Sequence, residues 1–529
     1  MNAQAIQRAD SFDVVIIGGA LSGAATALVL LREQPGLKVL IVEKGGTFGR
    51  RVGEATVEVS GYFLGQVLGL TQHLNESHLM KQGMRFWFFN DQARTLGDCS
   101  EIGGRYLVRM PAYQVDRAVL DQEVLQRAQA AGAQLWRPAT VSKIQLVPAG
   151  QQTLCVRYKD QIRTISTRWV VDASGVAAVL ARQEGWWRPN TEHPTKAVWA
   201  RWTGMKDWDG RELAQQFPDW AMACYGIRGT ATNHFVGEGW WAWCIPLKGG
   251  DVSVGVVFDQ RLVAWPEAGT PGQRLKTFLM QHPVAREIMR DAQWREGDVH
   301  WRKNLPYYST TFAGDGFALV GDAAGFIDPF YSPGMDWISF TATTTADLIL
   351  AQQRGEPLTE RLARHNRDFT RSYERWFQAI YQDKYDYFGE FDLVSMAFRM
   401  DLGLYYVGVA SQPFKRGVVG LTEPLYSTAP STPFFYLMRA YNRRFARIAR
   451  ARQARNCAGR LNDNHRFLFN GFTFSPGSTS PVVKALVQWA FTELKEGWRT
   501  WFQKPATAPS PSTAPLPAKV VDEAHALTP

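Results

Sequence analysis

The sequence predicts an α/β fold: a doubly wound lobe, split by an inserted antiparallel β-sheet and followed by a mainly helical C-terminal region. Three observations predict it. The first is an apolar run at 13–17 that enters the turn Gly18-Gly19-Ala20-Leu21-Ser22-Gly23 and then a small-residue helix. A second apolar run at 38–42 ends on Glu43, 20 residues past Gly23. This is a βαβ unit of the Rossmann-like kind. Gly18 allows the tight turn, Ala20 stands where backbone approaches a pyrophosphate, and Gly23 lets helix and strand pack closely. The helix N-terminus faces phosphates, and Glu43 can accept from ribose hydroxyls. The second observation is the return of this pattern at 316–325, an apolar strand, then Gly321-Asp322, then small residues. The third is the run of strand-like segments at 197–203, 240–246 and 252–258, which reads as an antiparallel sheet between the two nucleotide-type pieces.

In chain order, the stretch 45–56 after Glu43 is glycine-rich and basic, a loop able to lie along a bound cofactor. A helical pattern spans 62–74, and an aromatic strand spans 84–89, with Lys81 just ahead of it. An amphipathic helix covers 114–131 and stops at Gly132. Short strands are expected at 153–158 and 163–168, and a buried strand at 169–172 turns at Ala173-Ser174-Gly175. A helix is expected at 336–353. Residues 355–503 read as helical and aromatic with a proline break at 427–433, and the proline-rich stretch 504–529 reads as disordered. The expected boundaries are 1–190 and 306–354 for the two parts of the nucleotide lobe, 191–305 for the sheet insertion and 355–503 for the helical region.

Apolar residues make up 45% and charged residues 20%, which are globular values. Five scattered cysteines suggest neither a metal site nor a disulfide framework. No apolar run is long enough to span a bilayer, and the first ten residues lack a signal-peptide core, so a cytoplasmic protein is expected. The net charge is +10, and eight arginines crowd positions 439–460. They form either a solvated helical face or a dock for an anionic partner, a carrier protein or a membrane surface. No nucleic-acid motif accompanies them.

Gly18–Gly23, Asp172–Gly175 and Gly321-Asp322 together resemble the FAD-dependent class A monooxygenase-like superfamily. Trp241-Ala242-Trp243-Cys244-Ile245-Pro246 is similar to the Trp-x-Trp-x-Ile-Pro signature of flavin-dependent halogenases, and Gly53-Glu54-Ala55-Thr56 to their flavin strap. The resemblance implies FAD, used as FADH2, held by Gly18, Ala20, Gly23, Glu43, Lys44, Ala55, Arg117, Asp172, Gly175, Gly321, Asp322 and Gly325. It implies a catalytic lysine at Lys81 and a halide ion bound by Ser332, Pro333 and Gly334. Trp241 and Trp243 would form a barrier between flavin and substrate. No metal is implied. Tyr331 stands where tryptophan-type halogenases carry a glutamate, and Pro333 offers no amide N–H. The implied chemistry uses O2 and a separate flavin reductase to make hypohalous acid, which Lys81 passes to an electron-rich phenolic or pyrrolic ring, free or on an acyl carrier protein. A reductase, dehydrogenase or monooxygenase similar to the geranylgeranyl reductase branch would share the Gly-Asp strand and the Asp-Pro loop. A non-catalytic flavoprotein docking through its arginines is a third reading.

Overall fold

The computed structural model describes residues 10–108, 110, 112–224, 226–407, 411–470 and 479–502. The expected disordered tail lies outside the described residues.

The first sheet is the nucleotide-type one. Asp10–Ile17 pairs in parallel with Gln161–Asp172 on one side and Val39–Val42 on the other, and Phe317–Leu319 and Gln134–Trp136 extend it. The register aligns Ile17 with both Asp172 and Val42, and Asp172 with Leu319. Three separated motifs therefore end at one sheet edge, the carboxyl edge where open α/β sheets bind ligands. Helix α1 (Leu21–Glu33) leaves the first strand there. Its inward face is Ala, Leu and Val, all buried, which suits a helix packed flat on a sheet. The strands expected at 163–168 and 169–172 are one long strand, Gln161–Asp172, because its first half pairs with Gln152–Tyr158 and its second half with the central strand.

Beyond the strap, helix α2 (Glu58–Tyr62) runs into a π-helical turn, Phe63–Val67, where one continuous helix was expected. Helix α3 (Arg117–Ala130) is capped by Asp116, whose carboxylate accepts from the Ala118 amide at 2.9 Å.

The second sheet has eight strands, in the order Gln293–Lys303, Thr195–Thr203, Val252–Asp259, Trp240–Pro246, Thr232–Gly237, Met84–Phe88, Ser100–Gly104 and Arg466–Phe469. Five come from the expected insertion. The other three do not: Met84–Phe88 joins Thr232–Gly237 in parallel, and Arg466–Phe469 joins Ser100–Gly104 in parallel. The second sheet thus takes in pieces from both ends of the chain. Alternation along Trp240–Pro246 sends Trp241 and Trp243 to the face that meets the nucleotide lobe. Trp240 packs on the other face, against Phe278 of Pro271–Leu279.

Helix α4 (Pro333–Gln353) is buried along almost its whole length and starts three residues earlier than expected. Proline at its first position explains the start, since an N1 proline forfeits no intrahelical bond. The C-terminal helices α5 (Phe391–Tyr405), α6 (Thr432–Gln453) and α7 (Thr479–Lys495) complete the molecule.

Candidate active site

At the carboxyl edge of the first sheet, Gly18 has φ +101°, and an added Cβ would lie 2.4 Å from the Ala173 carbonyl oxygen. At Gly23 it would lie 1.9 Å from the Gly18 oxygen. Only glycine fits either place. Ala20 is the N-cap of α1, and no side chain caps the helix, so its first amides face the cleft unblocked. That is a cradle for a diphosphate. Glu43 is buried and accepts from the Gly19 amide at 2.7 Å and the Gly45 amide at 2.8 Å, fixing the glycine loop on the second strand. Lys44 beside it is exposed.

Asp172 accepts from the amides of Ser174 (3.0 Å) and Leu180 (2.7 Å). Its carboxylate therefore shapes the turn at Gly175, which has φ +65°. Gly321 brings α1 and α4 together, as an added Cβ would lie 2.5 Å from Ser22 Oγ. The Asp322 carboxylate accepts no hydrogen bond from the described residues. Burial raises its pKa, and the Arg302 and Arg117 guanidinium groups oppose that rise. A half-buried acceptor without a protein donor fits a flavin hydroxyl. Gly325 lies in a short strand paired with Tyr308, at the margin of this region.

The strap crosses from here toward the second sheet. Ala55 bridges to Gln114, and Arg117 donates to the Val52 carbonyl at 3.2 Å while its other nitrogens hold Asp121. Glu54 is buried against Arg201, which donates to it at 2.7 Å and also to Asp116 at 2.7 Å. Burial still dominates and lifts the Glu54 carboxyl to about 7.

Lys81 is 2% exposed, and its Nζ donates to the Thr56 carbonyl of the strap at 3.0 Å. It lines a partly open cavity of about 110 Å³. Gly83, with φ +78°, turns the chain so that Met84 lines the same space. The walls are aromatic: Tyr331, Trp376, Phe398, Tyr405, Tyr406 and Phe469. Besides Lys81, the ionisable side chains there are Glu58, Asp336 and Asp401 among the carboxylates. Asp336 accepts from the Ser60 amide (2.9 Å) and the Tyr405 hydroxyl (3.2 Å), and Tyr406 donates to Glu58 at 2.5 Å. Burial pushes the Lys81 ammonium down to about 8, against the pull of Glu58 and Asp336. Burial, with the Glu58 charge adding to it, lifts Asp336 to about 7.

The loop before α4 shares this cavity through Tyr331, and the first turn of α4 through Asp336. Tyr331 and Ser332 have φ of +67° and +57°, two consecutive non-glycine residues in the left-handed region. The Tyr331 hydroxyl, donating to Asp401 at 3.0 Å, and the Ser332 amide, donating to the Pro329 carbonyl at 2.9 Å, hold them there. Lys384 donates to the same Asp401 at 2.7 Å. Of the three expected halide positions, Pro333 has no amide proton and that of Ser332 is already used. Gly334 and the Ser332 hydroxyl are what remains at the helix start.

Trp241 and Trp243 are both buried. The Trp241 indole donates to Tyr385 at 2.8 Å, Tyr385 donates to Asp328 at 2.8 Å, and the His193 ring lies 3.0 Å from Asp328. Phe330 packs on Trp241 with ring centres 5.2 Å apart. The tryptophan strand thus braces the Asp-Pro loop. Trp243 donates to Ser253 at 3.1 Å.

The arginine segment is not an open basic face. Arg444 pairs with Glu493, Arg450 with Asp386, Arg443 approaches Asp383, and the wholly buried Arg452 holds Glu390, Asp392 and Glu496. Arg455 and Arg460 also reach Glu496. Arg444 and Arg452 thereby clamp α6 to α5 and α7, while Arg443, Arg450, Arg455 and Arg460 stay partly exposed. Sequence reasoning missed Glu58 and Asp336, although each stands two residues past a recognised motif, Thr56 and Gly334. It also missed Tyr405, Tyr406, Asp401 and Lys384, for which no local pattern exists.

A family profile described as FAD dependent oxidoreductase matches residues 13–235. A flavin-dependent halogenase of Armillaria mellea is 27% identical over 388 residues, covering 70% of this chain and 73% of that one. One of Dictyostelium discoideum is 24% identical over 370 residues, and the match covers 64% of this chain and 60% of that one, under two thirds of its length. The solved structure of halogenase PltM in complex with phloroglucinol and FAD superposes with a TM-score of 0.71 at 19% identity, covering 91% of this chain and 96% of that one. The fold and site are those of an FAD-dependent oxidoreductase. Within that class the chain is similar to flavin-dependent halogenases, with FAD as its cofactor.

Proposed function

We propose that this enzyme halogenates a single-ring, electron-rich aromatic, with Lys81 delivering the halogen. The observation that carries the reading is Lys81 itself: a buried amine in an aromatic-walled cavity, between the strap and the loop at the start of α4. When bound, reduced FAD with O2 and halide supplies hypohalous acid. Lys81 either donates to its oxygen or, as free amine, takes the halogen with release of water. With its pKa near 8, about a tenth of Lys81 is free base at pH 7, roughly 300-fold more than an ordinary lysine. The ring carbon then takes the halogen and loses its proton, and the amine is restored. Asp336, facing Lys81 and titrating near neutrality, suits the base that accepts a phenolic or ring proton. The cavity limits the substrate to one ring: about 110 Å³ is below the roughly 150 Å³ of an apolar cavity that takes up benzene. The PltM complex carries a one-ring phenol of this size class, phloroglucinol. The internal pairing of the arginine segment favours a free substrate over one on a carrier protein. A separate flavin reductase supplies FADH2.

The occupied Ser332 amide and Pro333 favour a second reading, FAD-dependent oxidation or reduction without halogenation. The chain also superposes on a flavoprotein/dehydrogenase from Cytophaga hutchinsonii with a TM-score of 0.62. Lys81→Ala decides between them. Under the proposal it loses product halogenation while FAD binding and NADH-coupled flavin reoxidation continue. Near-normal halogenation by the variant would defeat the role of Lys81.

A further inference from the structure

The last described stretch, α7 and the turn after it to Phe502, carries an outward stripe that none of the described residues covers. Val483, Val487, Phe491, Leu494, Trp498 and Phe502 are each half or more exposed, with Phe491 at 68%, Leu494 at 70% and Phe502 at 94%. The spacing of three and four residues places Val483, Val487, Phe491 and Leu494 on one face of α7, over about 16 Å at 1.5 Å per residue, and Trp498 and Phe502 follow in the turn beyond it. Scattered apolar residues on a surface need no explanation, but a contiguous stripe does.

Its charges are sorted by sign. The two acids of residues 479–502 point inward: Glu493 accepts from Arg444 and from the indoles of Trp489 and Trp501, and Glu496 from Arg452 and Arg460. They are 15% and 8% exposed. The bases Lys484, Lys495 and Arg499 are exposed, and Arg455 and Arg460 border the far end, 37% and 39% exposed. The segment therefore offers apolar and aromatic side chains with positive charge and no outward acid. No described helix is long and apolar enough to cross a membrane.

We propose that this face seats the enzyme on an anionic lipid surface, with α7 lying in the plane of the headgroups. Trp498 and Trp501 bring amphipathic indoles to the interface, Phe491 and Leu494 enter the acyl boundary, and the outward bases meet lipid phosphates. A protein partner would have to offer a matching acidic rim around a long apolar groove, whereas an anionic bilayer offers both features. The position suits an apolar substrate. Val482, at the start of the stripe, packs on Gly403 of α5, where an added Cβ would lie 2.1 Å from it. One turn beyond Gly403, the exposed Val407 lines a second cavity of about 500 Å³ that shares Leu425 and Tyr426 with the Lys81 cavity.

The test is co-sedimentation of the full chain with phosphatidylcholine vesicles, with and without phosphatidylglycerol. The wild type is expected to pellet with the anionic vesicles and to be released by salt. Lys484→Glu/Lys495→Glu/Arg499→Glu should lower the partition about a hundredfold, each base being worth roughly fivefold. Phe491→Ser/Leu494→Ser/Phe502→Ser should lose pelleting with the thermal midpoint and flavin reoxidation unchanged, which separates lost docking from misfolding. No pelleting of the wild type on anionic vesicles overturns the proposal. So does pelleting that appears only after residues 504–529 are removed, or a dimer in solution that the serine variant dissolves. Those two results would assign the face to the tail or to a second copy.

Discussion

Lys81→Met should make this protein more stable while removing its halogenation. Burial holds the Lys81 ammonium near 8, against an ordinary 10.5, a depression equivalent to roughly 3 kcal/mol. The sign follows from proton counting. Between about 8 and 10.5 the unfolded chain keeps the proton that the folded chain has lost, so stability rises with pH across that window. Below 8 the full cost of burying the charge is present, and methionine, of similar length and apolar, removes it. Glu58 and Asp336 face the same point and oppose the depression, and their pull is already contained in the value near 8. In the variant Asp336, which titrates near 7, takes up a proton at small cost. Urea unfolding at pH 7 should show Lys81→Met more stable by up to about 3 kcal/mol, and at pH 10 the gap should have largely closed. A variant no more stable than wild type at pH 7, or a gap that ignores pH, would refute the buried-amine account.

The remaining predictions concern cofactor and base. Gly18→Ala should lose FAD, because a Cβ there meets the Ala173 oxygen at 2.4 Å in a backbone conformation with φ +101°. Flavin absorbance of the purified variant checks it, and full occupancy would move the cradle elsewhere. Asp336→Asn should slow halogenation by about 10²-fold or more and remove the limb of the pH–rate profile near 7, with Lys81 intact. An unchanged profile would exclude Asp336 as the base.

Local pattern carried the nucleotide lobe. Gly18, Gly23 and Gly321 are each forced by a short-range clash, and such constraints are written in sequence as glycine. Lys81 was singled out by resemblance, ahead of an aromatic strand, and the structure buries it. What was not legible is what distance in the chain hides. Met84–Phe88, Ser100–Gly104 and Arg466–Phe469 join a sheet whose other strands lie at 195–303, and no periodicity announces a partner so far along the chain. Asp336 and Glu58 meet Lys81 only once α4 and α2 pack, and Tyr405 and Tyr406 arrive on a helix from the far end of the chain. The ion pairs of the arginine segment were hidden for the same reason: its counter-charges, Glu390, Asp392, Glu493 and Glu496, lie in the stretches before and after it. The density of positive charge was visible and its neutralisation was not.

The account rests on halogen reaching an aromatic ring through Lys81. The direct measurement is mass spectrometry of one-ring phenols and pyrroles incubated with the enzyme, FAD, a flavin reductase, NADH and bromide. The account predicts a monobrominated product that requires bromide and O2, is made by wild type, and is absent with Lys81→Ala at equal NADH consumption. Hydroxylated or dehydrogenated product alone under saturating bromide, or equal bromination by Lys81→Ala, would contradict it.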